Sequence, residues 1–288
     1  MGHMLFFGFG FCAKALAPLL RARGWQLSAT CRDDEKAAFL SAQDITPLRL
    51  TGAPLTAAEL DGVSHVLLSA APDEDGDPAL PLLTEALAAL QEKPQWMGYL
   101  STTGVYGDHG GAWVDEETPP GPLGARGQRR VDAEKAWGAL AQAHDLPMHY
   151  FRLAGIYGPG RNQLRSLKNG TARRIDKPGQ VFSRIHVDDI AQVLLASIDR
   201  PNRGRAYTVC DDEAAPPQDV VAFAAGLMHT TPPPLLPFDE VDLSPMAKSF
   251  YGENKRLHNR RMVDELGVAL TYPTYREGLR ALYESGDY

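Results

Sequence analysis

The chain has 288 residues, and its 29 Lys and Arg against 36 Asp and Glu give a formal net charge of −7. Its length allows a sizeable core without disulfide staples, and 44% hydrophobic with 23% charged residues excludes a disordered, collagen-like or coiled-coil chain. The net negative charge argues against a nucleic-acid-binding protein, because neutralising phosphates requires a dominant basic face. Three scattered cysteines without a CxxC pair indicate a reducing compartment and no thiolate metal site.

The apolar run from Met4 to Leu20 has the length of a secretory signal core, but Lys14 and Pro18 interrupt it and no basic segment precedes it. It is also too short and too rich in glycine to span a membrane. We therefore predict a cytoplasmic protein without a membrane partner. The sequence leaves a monomer and a homodimer open.

Short apolar runs alternate with amphipathic helical stretches through the first half of the chain, a pattern typical of βαβ units and a parallel sheet. The predicted strands are 4–9, 26–31, 45–50, 63–70, 95–102 and 148–154. The predicted helices are 12–23, 34–43, 81–91 and 128–144, with a loop rich in Gly and Pro at 107–124.

The second half is less regular, beginning with a basic, turn-rich segment at 157–180. It then predicts a helix at 186–198, a seventh strand at 206–210, a helix at 217–227, a proline-rich extended loop, and two amphipathic helices at 254–267 and 275–285. The predicted fold class is α/β, with a doubly wound parallel Rossmann sheet formed by 1–155 and 181–212. Residues 156–180 and 213–288 are predicted to form a smaller, discontinuous substrate lobe.

A glycine-rich turn of the form GxGxxA lies between the first strand and the first helix. Gly8 permits a tight turn, Gly10 lets the backbone approach a pyrophosphate, and Ala13 lets the helix pack closely on the sheet. The helix N-terminus adds N–H donors and a positive dipole. The predicted cofactor residues are Gly8, Phe9, Gly10, Phe11, Cys12 and Ala13 in the turn, with Ala70 at the end of the fourth strand. A purely structural turn is the alternative.

The end of the second strand predicts which dinucleotide the turn holds. Arg32 stands about 20 residues after the turn, where an acidic residue would bind the ribose hydroxyl of NAD. A guanidinium at this place can pair with the 2′-phosphate of NADP, so NADP(H) is the preferred cofactor. In the alternative, Arg32 is a surface charge, Asp33 binds the ribose, and the cofactor is NAD(H).

Several segments together resemble landmarks of the extended short-chain dehydrogenase/reductases, the NAD-dependent epimerase/dehydratase superfamily. These segments are GFGFCA (8–13), LSTTGVYG (100–107), FRLAGIYGPG (151–160), RIHVDDIA (184–191) and the helical region near the C-terminus. The resemblance implies a Ser/Thr, Tyr and Lys active centre in which the Tyr of a YxxxK motif exchanges a proton with the substrate. By position, Thr102 is the hydroxyl residue that orients the substrate oxygen, with Ser101 and Thr103 beside it.

At the place after the VYG loop where the resemblance puts it, the YxxxK motif is missing. In the expected register, Arg126 stands at the Tyr position, Arg130 at the Lys position and Glu134 at the acidic position that follows. Arginine keeps its proton at any working pH, so this pair cannot run a proton relay. Two fixed positive charges could instead bind an anionic substrate or stabilise an oxyanion.

This departure resembles the atypical branch of the superfamily, which implies an Asp after the fourth strand. Asp77 is the best-placed candidate and could act as a base, although capping of the helix that follows explains it equally well. Tyr106 is the phenol nearest in sequence, and we place it with Thr103 among the substrate-binding residues.

A dense basic run and the HVDD segment are the remaining candidates. Arg161, Arg165 and Arg184 are predicted to bind an anionic substrate group, and a solvated surface loop is the alternative. His186, Asp188 and Asp189 could suggest a metal cluster, but helix capping accounts for them better, so no metal is predicted.

Together these features predict an NADP(H)-dependent oxidoreductase or an epimerase/dehydratase-like protein. Its substrate would be a small anionic or sugar-derived molecule, and no nucleic acid would be bound. The alternative is a non-catalytic NADP(H)-binding protein that senses redox state, which the loss of Tyr and Lys favours.

Overall fold

The structure is a computed structural model that describes residues 2–288. Its strands are β1 (His3–Phe7), β2 (Gln26–Cys31), β3 (Thr46–Arg49), β4 (His65–Leu68), β5 (Trp96–Thr102), β6 (Trp113–Val114), β7 (Met148–Leu153), β8 (Gly155–Tyr157), β9 (Arg174–Asp176), β10 (Arg184–His186), β11 (Ala206–Val209), β12 (Leu235–Pro237) and β13 (Arg256–Leu257). Its α-helices are α1 (Phe11–Ala22), α2 (Asp34–Ser41), α3 (Leu80–Ala89), α4 (Ala125–His144), α5 (Gln163–Lys168), α6 (Val187–Asp199), α7 (Pro217–Leu227), α8 (Pro245–Tyr251), α9 (Arg260–Leu266) and α10 (Tyr275–Ser285).

A seven-stranded sheet in the order β11-β7-β5-β4-β1-β2-β3 confirms the predicted fold class. The pairings from β3 through β2, β1 and β4 to β5 are all parallel. In β1, β4 and β5 most residues are buried and apolar, as in strands covered on both faces, whereas β3 at the edge has no buried residue. From β1 the chain adds β2 and β3 on one side, and it then crosses to the other side of β1 to add β4 and the strands beyond it. The strand order therefore reverses between β1 and β4. In doubly wound sheets the carboxyl ends of the strands at this point form the ligand crevice.

The chain divides into two compact units. Unit 1 comprises the described residues up to Val105, with Ala125–Arg152 and Ala191–Tyr207. Unit 2 comprises Tyr106–Gly124, Leu153–Ile190 and Thr208–Tyr288. The predicted Rossmann domain, 1–155 and 181–212, differs from unit 1 because it also includes 106–124, 153–155, 181–190 and 208–212, which belong to unit 2.

Each unit has a hydrophobic core of its own. In unit 1, Leu5, Leu68, Tyr99 and Trp137 are among the side chains packed between sheet and helices. In unit 2, a second cluster is formed around Leu164, Val220 and Leu279 on α5, α7 and α10.

The local sequence pattern predicted the long helices and strands well and missed the short ones. β2, α7 and α10 have the predicted bounds, whereas α8 was not expected at all. The predicted helix at 254–267 begins only at Arg260, because Arg256–Leu257 instead pair with Trp113–Val114 inside the predicted loop. Likewise β12, in the proline-rich segment, pairs with β9. Strands of two or three residues are too short to show a periodicity, and only the distant partner makes them visible.

Acid is expected to destabilise unit 1 through the buried His149. Its Nδ1 faces the Met97 carbonyl at 3.3 Å and its Nε2 accepts the Asn202 N–H at 2.9 Å, so the network suits the neutral ring. Burial lowers the pKa of His149 to about 4. Its stabilising effect is therefore complete above the unfolded pKa of about 6.5 and is lost as the pH falls from there towards 4. The expected loss at pH 5 is about 2 kcal/mol.

Urea unfolding at pH 7.5 and pH 5 measures this effect. His149→Gln keeps a donor and an acceptor but cannot titrate, so the difference between the two pH values should shrink by about that amount. His229→Asn alters an exposed histidine and should leave the difference unchanged. An unaltered difference in His149→Gln contradicts the assignment.

Candidate active site

Gly8 occupies a turn that no other residue suits. Its φ is +89°, and its N–H donates to Thr30 Oγ1 at 2.9 Å. The Ser69 hydroxyl donates to the Gly8 carbonyl at 2.7 Å. A Cβ at Gly8 would lie 3.1 Å from Ser69 Oγ and 3.3 Å from the Ala70 nitrogen. Thus β1, β2 and the segment after β4 together hold the turn, and Ala70 lies against it.

Gly10 faces open space. It precedes α1 in extended conformation with φ −98°, and a Cβ built on it would meet nothing within 4 Å. No side chain caps the start of α1. These features fit a pyrophosphate approaching the helix N-terminus.

The other residues of the motif pack against the interior of unit 1. Cys12 and Ala13 are buried, and Phe9 packs edge-on against Phe6 with ring centroids 5.4 Å apart. Phe11 is half-buried. The motif therefore presents backbone to a ligand and buries most of its side chains.

The end of β2 favours Arg32 over Asp33 as the residue that contacts a ligand. Arg32 is exposed, whereas Asp33 Oδ1 accepts the Lys36 N–H at 2.7 Å and caps α2. The Lys36 ammonium donates to the Phe9 carbonyl at 3.3 Å and lies 4.4 Å from the Phe39 ring centroid. Lys14 lies 5.3 Å from the same ring.

Sequence reasoning missed both lysines, although Lys36 is only four residues beyond Arg32. Burial, and then the charge of Lys14, lower the pKa of Lys36. Neither lysine makes an ion pair within residues 2–288. The basic character of this edge of the sheet therefore exceeds what Arg32 alone suggested.

At the end of β5 the hydroxyl residues have different surroundings. Ser101 is buried and donates to Glu134 Oε1 at 2.5 Å, and Arg152 Nη2 donates to Glu134 Oε2 at 2.8 Å. Ser101 thus hydrogen-bonds to the carboxylate of the buried Arg152–Glu134 ion pair. Thr102 is half-buried, and its Oγ1 accepts the Gly104 N–H at 3.2 Å. Thr103 is half-buried and begins the short 3₁₀ helix that follows.

The two arginines of α4 also differ. Arg126 is exposed in the first turn of the helix. Arg130, one turn later, is half-buried, and its Nη1 donates to the Leu100 carbonyl at 2.5 Å and to the Tyr99 hydroxyl at 3.2 Å. Nothing in the sequence singled out Tyr99, whose ring is fully buried.

Asp77 lies inside unit 1 with only 7% of its surface exposed. Its Oδ1 accepts the Ala79 N–H at 2.9 Å in the turn before α3, and α3 itself begins at the N-cap Ala79 without a side-chain cap. Burial raises its pKa, opposed by the hydrogen bonds from the Ala79 and Leu80 N–H groups. Its Oδ2 faces the Tyr99 and Trp137 side chains without a hydrogen bond of good geometry. This placement favours a structural role over contact with a substrate.

In unit 2 the predicted substrate residues separate into buried and exposed groups. Tyr106 is 1% exposed, and its hydroxyl lies 2.7 Å from Thr208 Oγ1. Arg184 is 7% exposed and donates to the Phe182 carbonyl at 2.8 Å. Burial does not favour the predicted substrate contacts of either residue. Arg161 and Arg165 remain on the surface.

In the HVDD segment, the side chains of His186 and Asp189 accept hydrogen bonds from backbone N–H groups of unit 2. The Asp189 carboxylate accepts the N–H groups of Thr271 at 2.7 Å and Tyr272 at 3.1 Å, just before α10. His186 Nδ1 accepts the Asp188 N–H at 3.2 Å.

Across residues 2–288 no three His, Cys, Asp or Glu side chains are grouped as metal ligands. In the same range no helix has the length and apolar character needed to cross a bilayer.

The fold and the glycine-rich turn define a nucleotide-binding protein of the doubly wound class. The profile of the "NAD dependent epimerase/dehydratase family" matches residues 8–210, and the chain belongs to this family. The chain is 28% identical to "Protein YeeZ" of Escherichia coli strain K12 over 280 residues, 92% of this chain and 94% of that protein.

Two solved structures illustrate the range of similarity. One is described as a functionally unknown conserved protein from Silicibacter pomeroyi DSS, with 52% identity, a TM-score of 0.92 and full coverage of both chains. The other is UDP-glucuronic acid 4-epimerase from Bacillus cereus in complex with NAD, with 16% identity and a TM-score of 0.75. It covers 98% of this chain and 96% of that one. At that identity the second likeness concerns the fold alone.

Proposed function

We propose that this chain is an NADP(H)-dependent oxidoreductase or epimerase/dehydratase-like enzyme acting on a small anionic or sugar-derived molecule. The observation that carries the proposal is the open approach to Gly10 after β1, together with an exposed Arg32 directly after the neighbouring strand β2. A dinucleotide needs both an approachable backbone for its pyrophosphate and a group that selects its ribose. The similar epimerase binds NAD, so NAD(H) is the alternative cofactor that a binding experiment must exclude.

The turn at Gly8–Ala13 would hold the pyrophosphate, and Arg32 would pair with the 2′-phosphate. Lys36 and Lys14 add positive charge near the same place. The nicotinamide, when bound, supplies hydride transfer. A carbonyl substrate that accepts the hydride develops negative charge on its oxygen, and the chain has to stabilise that charge.

Thr102 is the residue proposed to donate a hydrogen bond to the substrate oxygen. Unlike Ser101, it is not bound to Glu134, and it is half-buried at the carboxyl end of β5. Arg126 and Arg130 would stabilise negative charge on the substrate. Because neither arginine releases its proton, they cannot replace the missing Tyr as acid or base. An anionic substrate suits two fixed cations better than a neutral sugar does.

Thr102→Val is expected to lower turnover at least about a hundredfold, as loss of one oxyanion donor does in other enzymes. NADPH affinity should stay within about twofold, since the change does not touch the Gly8 turn. The measurement is NADPH consumption with a panel of small keto acids and oxidised sugar derivatives, beside calorimetric titration with NADPH. Thr46→Val changes an exposed threonine of β3 outside the candidate site and is the control that should retain turnover. Equal turnover of Thr102→Val and the unmodified chain contradicts the role of Thr102.

The replacement of both Tyr and Lys by arginine favours a second candidate, a non-catalytic NADP(H)-binding protein that reports redox state to a partner. Under this candidate NADPH binds, but no compound of the panel oxidises it. NADP⁺ and NADPH would then differ in affinity, because sensing requires different binding of the two forms.

A further inference from the structure

Arg130 uses only one of its three nitrogens within unit 1. Nη1 donates to the Leu100 carbonyl and to the Tyr99 hydroxyl. Within residues 2–288 the side chain has no other hydrogen bond and no ion pair, so Nε and Nη2 have no protein acceptor. The residue is half-buried, which leaves that edge of the guanidinium open to a ligand.

The two acceptors of Nη1 are rigid. Leu100 contributes backbone in the middle of the sheet, and the Tyr99 ring is fully buried. The guanidinium carbon lies 5.6 Å from the centre of that ring. A buried phenol and a strand carbonyl therefore set the direction in which the remaining N–H groups point.

The helix that carries Arg130 is anchored as well. Glu134 lies one turn further along α4 and is held by Ser101 of β5 and Arg152 of β7. Residues four apart share a helix face, so Arg130 and Glu134 form two successive attachments of α4 to β5. Leu100, which accepts from Arg130, is two residues before Thr102 in the same strand.

We propose that the Nε/Nη2 edge of Arg130 is a subsite for a carboxylate or phosphate group, and that Tyr99 is the positioning residue that aims it. The inference rests on the proposed function in taking this anion to belong to the substrate. A guanidinium edge presents two parallel N–H groups that match two oxygens of one planar or tetrahedral oxyanion. A lysine ammonium has three donors on one nitrogen and cannot present two of them in parallel, so the subsite is specific to arginine.

Titrations with oxalate and with inorganic phosphate test the subsite and separate the two anion classes. The Arg130 ¹⁵Nε resonance, assigned by its loss in Arg130→Lys, is followed in the protein with and without NADP⁺. At least one anion is expected to shift it. Calorimetric titration with the same anion, which does not need this resonance, should show binding roughly tenfold or more weaker in Arg130→Lys. Arg129→Gln changes the neighbouring arginine, whose partner is Glu74, and should leave the affinity unchanged.

Tyr99→Phe tests the positioning role. It keeps the ring but removes the hydroxyl, and the affinity for the anion should fall roughly tenfold while circular dichroism stays unchanged. A lower unfolding midpoint with affinity within twofold makes Tyr99 merely structural and overturns its role. An unshifted Arg130 resonance with both anions, or a loss of binding in Arg126→Gln but not in Arg130→Lys, overturns the subsite. NADPH titration of the same samples reports separately on the proposed function, whose failure would leave the anion result standing.

Discussion

Arg32→Ala is expected to abolish the preference for NADPH over NADH. A charge-assisted pair with the 2′-phosphate contributes about 2–3 kcal/mol, so NADPH should bind about a hundredfold more weakly while NADH is little affected. The structure strengthens this expectation, because Asp33 is engaged as the cap of α2. A carboxylate already bound to a backbone N–H is a poor partner for the ribose of NAD.

Calorimetric titration with NADPH, NADH, 2′,5′-ADP and 5′-AMP measures the effect. The unmodified chain should favour the members of each pair that carry the 2′-phosphate, and Arg32→Ala should treat the pairs alike. Lys36→Met is expected to weaken NADPH by a smaller factor, about tenfold, because it removes one of several charges. Arg280→Ala removes an exposed arginine of unit 2 and serves as the control. A preference that survives in Arg32→Ala would reassign the 2′-phosphate site.

Arg152→Met is expected to cost about 3–5 kcal/mol of unfolding free energy. Arg152 and Glu134 are about nine-tenths buried and 2.8 Å apart, so removal of the arginine leaves a carboxylate uncompensated inside unit 1. Ser101, which donates to the same carboxylate, cannot neutralise it. Replacing both charges by apolar residues of similar volume removes that penalty.

Urea unfolding of Arg152→Met, Glu134→Leu and the double variant measures the coupling of the pair. The double variant should be more stable than Arg152→Met alone. Arg129→Gln removes the half-buried partner of the exposed Glu74 and should change the unfolding free energy by less than about 1 kcal/mol. A double variant as unstable as the sum of the singles contradicts an interaction between the two side chains.

The glycine-rich turn and the doubly wound sheet could be predicted because their signals are local. Gly8 and Gly10 lie two residues apart between a buried strand and a helix, and the steric needs of each follow from that place alone. Substitution of the YxxxK residues by Arg126 and Arg130 was visible for the same reason. A fixed spacing along one helix does not depend on the rest of the fold.

The surroundings of the predicted residues could not be obtained in this way. Ser101 and Thr102 are adjacent in sequence, and only the packing of α4 on β5 decides that Ser101 binds Glu134. Tyr106 and Arg184 were predicted to contact substrate, but both are buried within unit 2. Burial and hydrogen-bond partners depend on elements far away along the chain.

The sequence by itself determined the class of fold, the glycine-rich turn and the cation that follows β2. Each of these depends only on residue types a short distance apart along the chain. In a strand–turn–helix unit, the local backbone geometry fixes where such residues lie. Only the tertiary structure decided which charges are available to a ligand. In the fold, Asp33 caps α2 and Ser101 donates a hydrogen bond to Glu134. Arg130 is oriented by the hydrogen bond that it donates to the Tyr99 hydroxyl. Whether a polar group is free or already bound is set by partners that the fold brings together from distant parts of the chain.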